Sequence, residues 1–96
     1  MKKIVFVIII EEIHDREMYA DYIKQVANII EAHRGEYIAR SDKIIPFSGD
    51  RPERSIIIAF NSLEEAEGCF FSEEYSKIKH LRENSTRSRA FFIDND

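Results

Sequence analysis

The stretch Arg54–Arg82 reads RSIIIAFNSLEEAEGCFFSEEYSKIKHLR, and it sets the fold. Ser55–Phe60 is almost wholly apolar and rich in β-branched residues, with Ile56, Ile57 and Ile58 in succession. Six residues of this kind make a strand; they are too short for an ordinary helix. Asn61-Ser62 stops the strand, and Ser62 with Glu65 three positions on has the form of a capping box. A helix is therefore expected from about Leu63 to Phe70, weakened at Gly68 by roughly 1 kcal/mol relative to alanine. Ser72, followed by Glu73 and Glu74, has the residues of a second N-cap, because carboxylates favour the positive end of the helix dipole. Tyr75, Ile78 and Leu81 or Arg82 continue at helical spacing.

On the N-terminal side, Ile4–Ile10 is a strand without alternation. Ile4, Phe6, Ile8 and Ile10 point one way and Val5, Val7 and Ile9 the other, so both faces need cover. Asp15 caps a helix expected to run to about His33, and Tyr19, Tyr22, Ile23, Val26, Ile29, Ile30 and His33 trace its inward face. Gly35 is expected to take the left-handed position after it. Glu36–Arg40 forms the second strand, with Tyr37 and Ala39 facing one side and Ile38 and Arg40 the other. Ile44–Phe47 would continue it past a break at Ser41-Asp42-Lys43. Ser48–Pro52 is the plainest loop signal in the chain. Asn84–Ser88 is expected to turn, Arg89–Ile93 to form the last strand, and Asn95-Asp96 to fray.

The order β-α-β-β-α-β, with its second helix broken at Ser72, describes an α+β, ferredoxin-like domain with a four-stranded antiparallel sheet. Right-handed crossovers place both helices on one face of that sheet. The other face would expose Val5, Val7 and Ile9, or their alternates, together with side chains of the third and fourth strands. An apolar patch of that size marks an interaction surface. Burying roughly eight such side chains is worth over 10 kcal/mol, at ~1.5–3 kcal/mol each. That is enough to offset much of an association cost of roughly 4–15 kcal/mol. A homodimer packed sheet to sheet is therefore expected.

At 96 residues the chain is one domain, residues 1–96. Its net charge of −4, from 18 acids and 14 bases, disfavours a role in binding nucleic acid or anionic membranes, although Arg82–Arg89 is locally basic. The single cysteine, Cys69, rules out an internal disulfide and any cysteine-cluster metal site, and it fits a reducing, cytoplasmic setting. Met1-Lys2-Lys3 followed by Ile4–Ile10 imitates a signal peptide. However, the apolar run ends at Glu11-Glu12 after seven residues, without a small-residue cleavage site.

The residues that give the fold also carry a family likeness. A strand ending in Phe60, then Asn61-Ser62-x-Glu64-x-Ala66, then Ser72-x-Glu74-Tyr75 and Arg82 seven residues on, resembles domain-of-unknown-function family 1330. Asp15, Glu17, Tyr19 and Tyr22 are similar to that family's helix start. Gly35, Tyr37, Ala39 and Arg40 are similar to its second strand, and Pro52 and Arg54 to the entry of its third. Arg16 stands where proline is usual, Arg34 replaces the first glycine of a pair, and Ser41-Asp42 replaces the Gly-Gly after Arg40. The resemblance covers nearly the whole chain and implies a dimeric α/β barrel. It implies little chemistry. Related barrels include small oxygenases and isomerases, so an enzyme here would be cofactor-independent and of that kind.

Neither a Gly-rich phosphate loop, a nucleophile elbow nor a histidine pair at metal-ligand spacing is present. Two readings of the remaining candidates are open. In the first, Arg40 and Arg82 hold an anionic group of a small molecule in a cleft between sheet and helices, lined by Tyr19, Tyr22 and Tyr75, with Ser72 offering a hydroxyl. In the second, the arginines sit in structural ion pairs, the tyrosines are core, Ser72 is only a cap, and the protein is a non-catalytic dimeric interaction module. Arg54 reads as a solvated guard against edge pairing. Cys69 reads as a small core residue, with surrounding glutamates opposing a reactive thiolate. No metal and no cofactor is expected.

Overall fold

The computed structural model describes residues 3–95; the basic Met1-Lys2 of the signal-like start and the final Asp96 lie outside the described residues. The elements run β1 (Ile4–Ile13), α1 (Arg16–Ala32), β2 (Glu36–Ser41), β3 (Arg54–Phe60), α2 (Leu63–Phe70), α3 (Glu73–Ser76), α4 (Lys79–Ser85) and β4 (Thr86–Asp94). The sheet order is β2-β3-β1-β4, with every neighbouring pair antiparallel. This is the ferredoxin-like arrangement that the element order predicts.

Period-2 parity decides which side chains meet the helices. Ile4, Phe6, Ile8 and Ile10 of β1 are buried, and their partners on β3 are Phe60, Ile58, Ile56 and Arg54. α1 covers this face with Tyr19, Tyr22, Val26 and Ile30. α2 adds Ala66, Cys69 and Phe70. The alternate residues Val5, Val7, Ile9 and Ile57 face away and are only partly covered. Val7 pairs with Ile57 on one side and Phe91 on the other; Val5 pairs with Ala59 and Ile93. Phe91 and Ile93 are among the exposed large apolar residues of the chain. The second apolar face is thus a contiguous stripe over three strands.

The helix starts follow the caps read from the sequence. The Asp15 carboxylate accepts from the Met18 amide at 3.0 Å, Ser62 Oγ from Glu65 at 3.1 Å, and Ser72 Oγ from Tyr75 at 3.1 Å. Only half of the Ser62 capping box forms in this way, since the Glu65 carboxylate lies 3.9 Å from Arg34 Nη1. α1 ends one residue before His33 and closes with two bonds, Gly35 N–H to Ile30 C=O (2.9 Å) and Arg34 N–H to Glu31 C=O (3.0 Å). The left-handed residue is Arg34, with φ 65°, and not Gly35 as expected. Gly35 is required for a different reason. A Cβ there would lie 2.6 Å from Ile30 Cγ2 and 2.9 Å from the Phe60 ring, because the chain enters β2 directly against the core.

Three further expectations change. Ile44–Phe47 does not extend β2: it lies in the 42–53 loop, where Ile45 and Phe47 are 93% and 104% exposed. β4 starts at Thr86, earlier than expected, since α4 passes straight into it and the Ser85 carbonyl is held by the His14 and Asp15 amides. Asn95 is tied down by its amide bonding to the Lys3 carbonyl at 2.8 Å.

Candidate functional site

A cavity of about 200 Å³ lies between α1 and the sheet, closed at one end by α4. Most of its wall is aliphatic: Ile8, Ile10, Ile23, Val26, Ile30, Ile56 and Ile58. The remainder is Tyr19, Tyr22, Tyr37, Arg40, Arg54 and Arg82. Its lining therefore contains three guanidinium groups, three phenols and no aspartate, glutamate or histidine.

Arg40 reaches this cavity through a defect in β2. The register shifts between Tyr37 and Ala39, so that Tyr37 pairs with Ile58, Ala39 with Ile57 and Arg40 with Ile56. Ile56 and Ile58 share the helix-covered face, and so do Tyr37 and Arg40. This corrects the strict alternation expected for β2, which put those two residues on opposite faces. The Arg40 guanidinium sits over the Tyr37 ring, 4.2 Å from its centroid. Arg40 itself is exposed and stands at the rim.

Arg54 is the residue that the sequence reading misplaced. It pairs with Ile10, so its side chain faces the helices as Ile56 and Ile58 do. Its parity with Ile56 and Ile58 was a signal available in the sequence. Its Nε and the Tyr19 hydroxyl are both buried, and among the described residues neither makes a hydrogen bond of full geometry, although the two side chains lie close enough to interact. Tyr19 is 7% exposed. Burial raises its pKa, and the Arg54 charge, an interaction of its hydroxyl with the Arg54 side chain and the Arg82 charge only partly oppose that. Two buried polar atoms with no firm partner beyond each other's side chains are unusual in a folded protein.

Arg82 forms the closed end. It is 6% exposed and pairs with no carboxylate among the described residues. Instead Nη1 donates to Ser88 Oγ at 3.0 Å, and Nε lies 3.4 Å from the Tyr75 hydroxyl. The Tyr75 and Tyr22 hydroxyls are 2.8 Å apart. Burial opposes the Arg82 charge, but coupling to Tyr75 and Tyr22 outweighs it, and its pKa is raised. Burial first, then Tyr75, pushes Tyr22 well above the ordinary phenol value. Tyr22 is therefore a neutral donor near neutral pH, not a base.

Of the sequence candidates, Tyr19, Tyr22, Arg40 and Arg82 come together in the cavity. Tyr75 sits behind Tyr22, and it also borders an open groove against β4 near Phe6, Phe71 and Phe92. Ser72 stands apart as the α3 cap, its hydroxyl donating to the Cys69 carbonyl at 2.7 Å. Tyr37 and Arg54 complete the site and were not among the candidates. Cys69 is fully buried, and desolvation, then Glu74, pushes its pKa up to about 12, so it is no nucleophile. Among the described residues no group of three or more His, Cys, Asp or Glu side chains is placed to hold a metal, and no helix is long and apolar enough to cross a membrane.

One edge of the cavity is braced by Glu53. Its carboxylate accepts from the Ile13 amide at 2.6 Å and pairs with Arg16, interactions that hold its pKa below the usual carboxylate range. Tyr19 and Arg54 also border the outer groove beside this brace.

The family model described as a domain of unknown function, DUF1330, matches residues 4–95. The chain belongs to that family. Among curated proteins no sequence matches it. Solved structures agree with the DUF1330 assignment at the level of fold. A protein of unknown function from Rhodopseudomonas palustris superposes with a TM-score of 0.78 at 12% identity, over 98% of this chain and 83% of that one. SnoaB, a cofactor-independent oxygenase from Streptomyces nogalater, gives 0.66 at 6% identity over 100% and 95%. The hydroxynitrile lyase of Passiflora edulis gives 0.68 at 12% identity over 100% and 98%. This DUF1330 chain therefore shares its backbone with enzymes and with a protein of unknown function alike, and at such identities its site must be read from its own residues.

Proposed function

We propose that this DUF1330 protein binds a compact organic anion in the cavity under α1, and does so as a homodimer. The observation that carries the ligand reading is a cavity lined by three guanidinium groups and, among the described residues, no carboxylate, where Tyr19 Oη and Arg54 Nε are buried with no firm partner beyond each other's side chains. A purely structural arginine cluster would bring its own acids. Here the missing negative charge is supplied by the ligand. An engineered cavity of about 150 Å³ accepts benzene. A volume of about 200 Å³ therefore suits one ring or a short chain, with its apolar body on Ile56, Ile58 and Val26 and its anionic end toward Arg54, Tyr19 and Arg82. Arg40 at the rim would close over it.

The test is calorimetric titration with benzoate, against benzyl alcohol as the uncharged control. Benzoate is expected to bind at least tenfold tighter, and Arg54→Met to weaken it roughly 30-fold, in keeping with about 2 kcal/mol for a lost charge-assisted hydrogen bond. Equal affinity for acid and alcohol, or no binding of short-chain and aromatic carboxylates alike, would remove the reading.

The homodimer rests on the open stripe of Val5, Val7, Ile9, Ile57, Phe91 and Ile93. Its physical basis is the same apolar area argument made from the sequence, and the anion site, not the stripe, is what favours a cytoplasmic, small-molecule-binding dimer over a dimeric interaction module. Sedimentation equilibrium is expected to give twice the chain mass at micromolar concentration, and Val7→Glu to halve it. A parent protein that stays monomeric under those conditions would sink the dimer.

A further inference from the structure

The hydroxyl chain behind the cavity has a direction. A guanidinium only donates, so the Tyr75 oxygen accepts from Arg82 Nε, 3.4 Å away. Tyr75 is 2% exposed, and its hydroxyl has one other neighbour, the Tyr22 hydroxyl at 2.8 Å. The Tyr75 proton therefore goes to Tyr22. Either arrangement leaves one O–H without an acceptor among the described residues, and it falls to Tyr22 because Tyr22 lines the cavity, where a ligand oxygen can accept it, and Tyr75 does not. Tyr22 then accepts from Tyr75 and keeps its own proton unused, on a side chain that lines the cavity. Each link polarises the next, so a buried positive charge acts on the cavity through a phenol. Tyr19 and Arg54, with no firm hydrogen-bond partner beyond each other among the described residues, line the same cavity.

No described element brings a negative charge to the cavity lining. α1 brings Tyr19 and Tyr22, β2 brings Tyr37 and Arg40, β3 brings Arg54, α4 brings Arg82, and β1 brings only Ile8 and Ile10. We propose that the site takes weak oxygen acids of one-ring size, phenols or enols, and holds them as their deprotonated oxyanions, with Tyr22 donating to that oxygen at the end of the Arg82–Tyr75 chain. This rests on the anion-binding reading above and gives the ligand its chemical class. On binding, the ligand O–H bond breaks, its electron pair stays on oxygen, and the proton leaves to solvent, because the lining offers no base to keep it. The raised pKa values of Tyr19 and Tyr22 agree, since they keep both phenols protonated while the ligand ionises.

The experiment uses 4-nitrophenol, whose phenolate is coloured, with the intact protein. The absorbance of bound and free probe is followed against pH. The bound probe is expected to ionise at least one pH unit lower than the free one, which equals at least tenfold tighter binding of the anion than of the neutral acid. 4-Nitroanisole, the same ring without the acidic proton, should bind at least tenfold more weakly than the phenolate. Tyr75→Phe should weaken phenolate binding roughly tenfold and leave 4-nitroanisole unchanged. Should Tyr75→Phe not fold, as judged by circular dichroism, Tyr22→Phe carries the same expectation. A bound probe with an unshifted or raised pKa, or a folded variant that keeps the full shift, would overturn the inference and leave the benzoate result standing. Failure of both 4-nitrophenol and benzoate to bind would overturn the anion site itself.

Discussion

Arg82→Met is expected to leave the protein at least as stable as the parent while weakening benzoate binding roughly 100-fold. The two effects separate because Arg82 is buried without a carboxylate partner among the described residues. Its desolvation is met by neutral hydroxyls alone, Ser88 at 3.0 Å, Tyr75 at 3.4 Å and Tyr22 beside them. Replacing buried charge by an apolar group of similar volume is often neutral or stabilising by about 1–4 kcal/mol. The polar groups left behind keep partners of their own. Tyr22 and Tyr75 hold each other, and Ser88 holds Thr86 Oγ1 at 2.9 Å. The loss falls on binding, where a desolvated charge is worth about 2–5 kcal/mol. Urea denaturation and calorimetry on the same samples check both halves. A drop in stability of more than about 2 kcal/mol with affinity intact would make Arg82 a structural residue.

Phe70→Ala should be the most damaging single truncation away from the cavity, at about 3–5 kcal/mol. The Phe70 ring stacks on Phe6 with centroids 3.8 Å apart, and meets Tyr75 at 5.1 Å, Phe60 at 5.9 Å and Phe92 at 6.3 Å edge-on. It joins α2 and α3 to three strands at one point. A domain of this length has about 5–15 kcal/mol in total, so the change should lower the melting temperature by roughly 20 °C. The neighbouring Phe71 is the internal control. It is 72% exposed and touches the cluster only at its margin, 6.5 Å from Phe92. Phe71→Ala should stay within about 0.5 kcal/mol of the parent. Equal melting temperatures for the two variants would mean that the aromatic cluster is not the keystone of this face.

The site was legible in part. Tyr19 and Tyr22 fall on the inward stripe of α1, and helical spacing places Arg82 on or beside the Tyr75–Ile78 face, because helical geometry is local. Arg54 carried a usable signal, its parity with Ile56 and Ile58, but a charge at a strand start is most often solvated and the parity was overridden. Tyr37 and Arg40 could not be paired from sequence. Their shared face depends on a bulge that no glycine or proline marks, and a single added residue inverts every later side chain.

What the sequence determined by itself is what depends on near neighbours: the caps at Asp15, Ser62 and Ser72, the apolar parity of β1, the break at Ser72, and through their order the ferredoxin-like fold and its DUF1330 membership. The tertiary structure alone decided which charges share a cavity. Tyr22 and Tyr75 are 53 positions apart, and Arg54 and Arg82 come from separate elements. It also decided that, among the described residues, no carboxylate lines that cavity. Ion pairing is a matter of where distant side chains are left once the apolar faces are buried, and that is settled by packing over the whole sheet rather than by any local spacing.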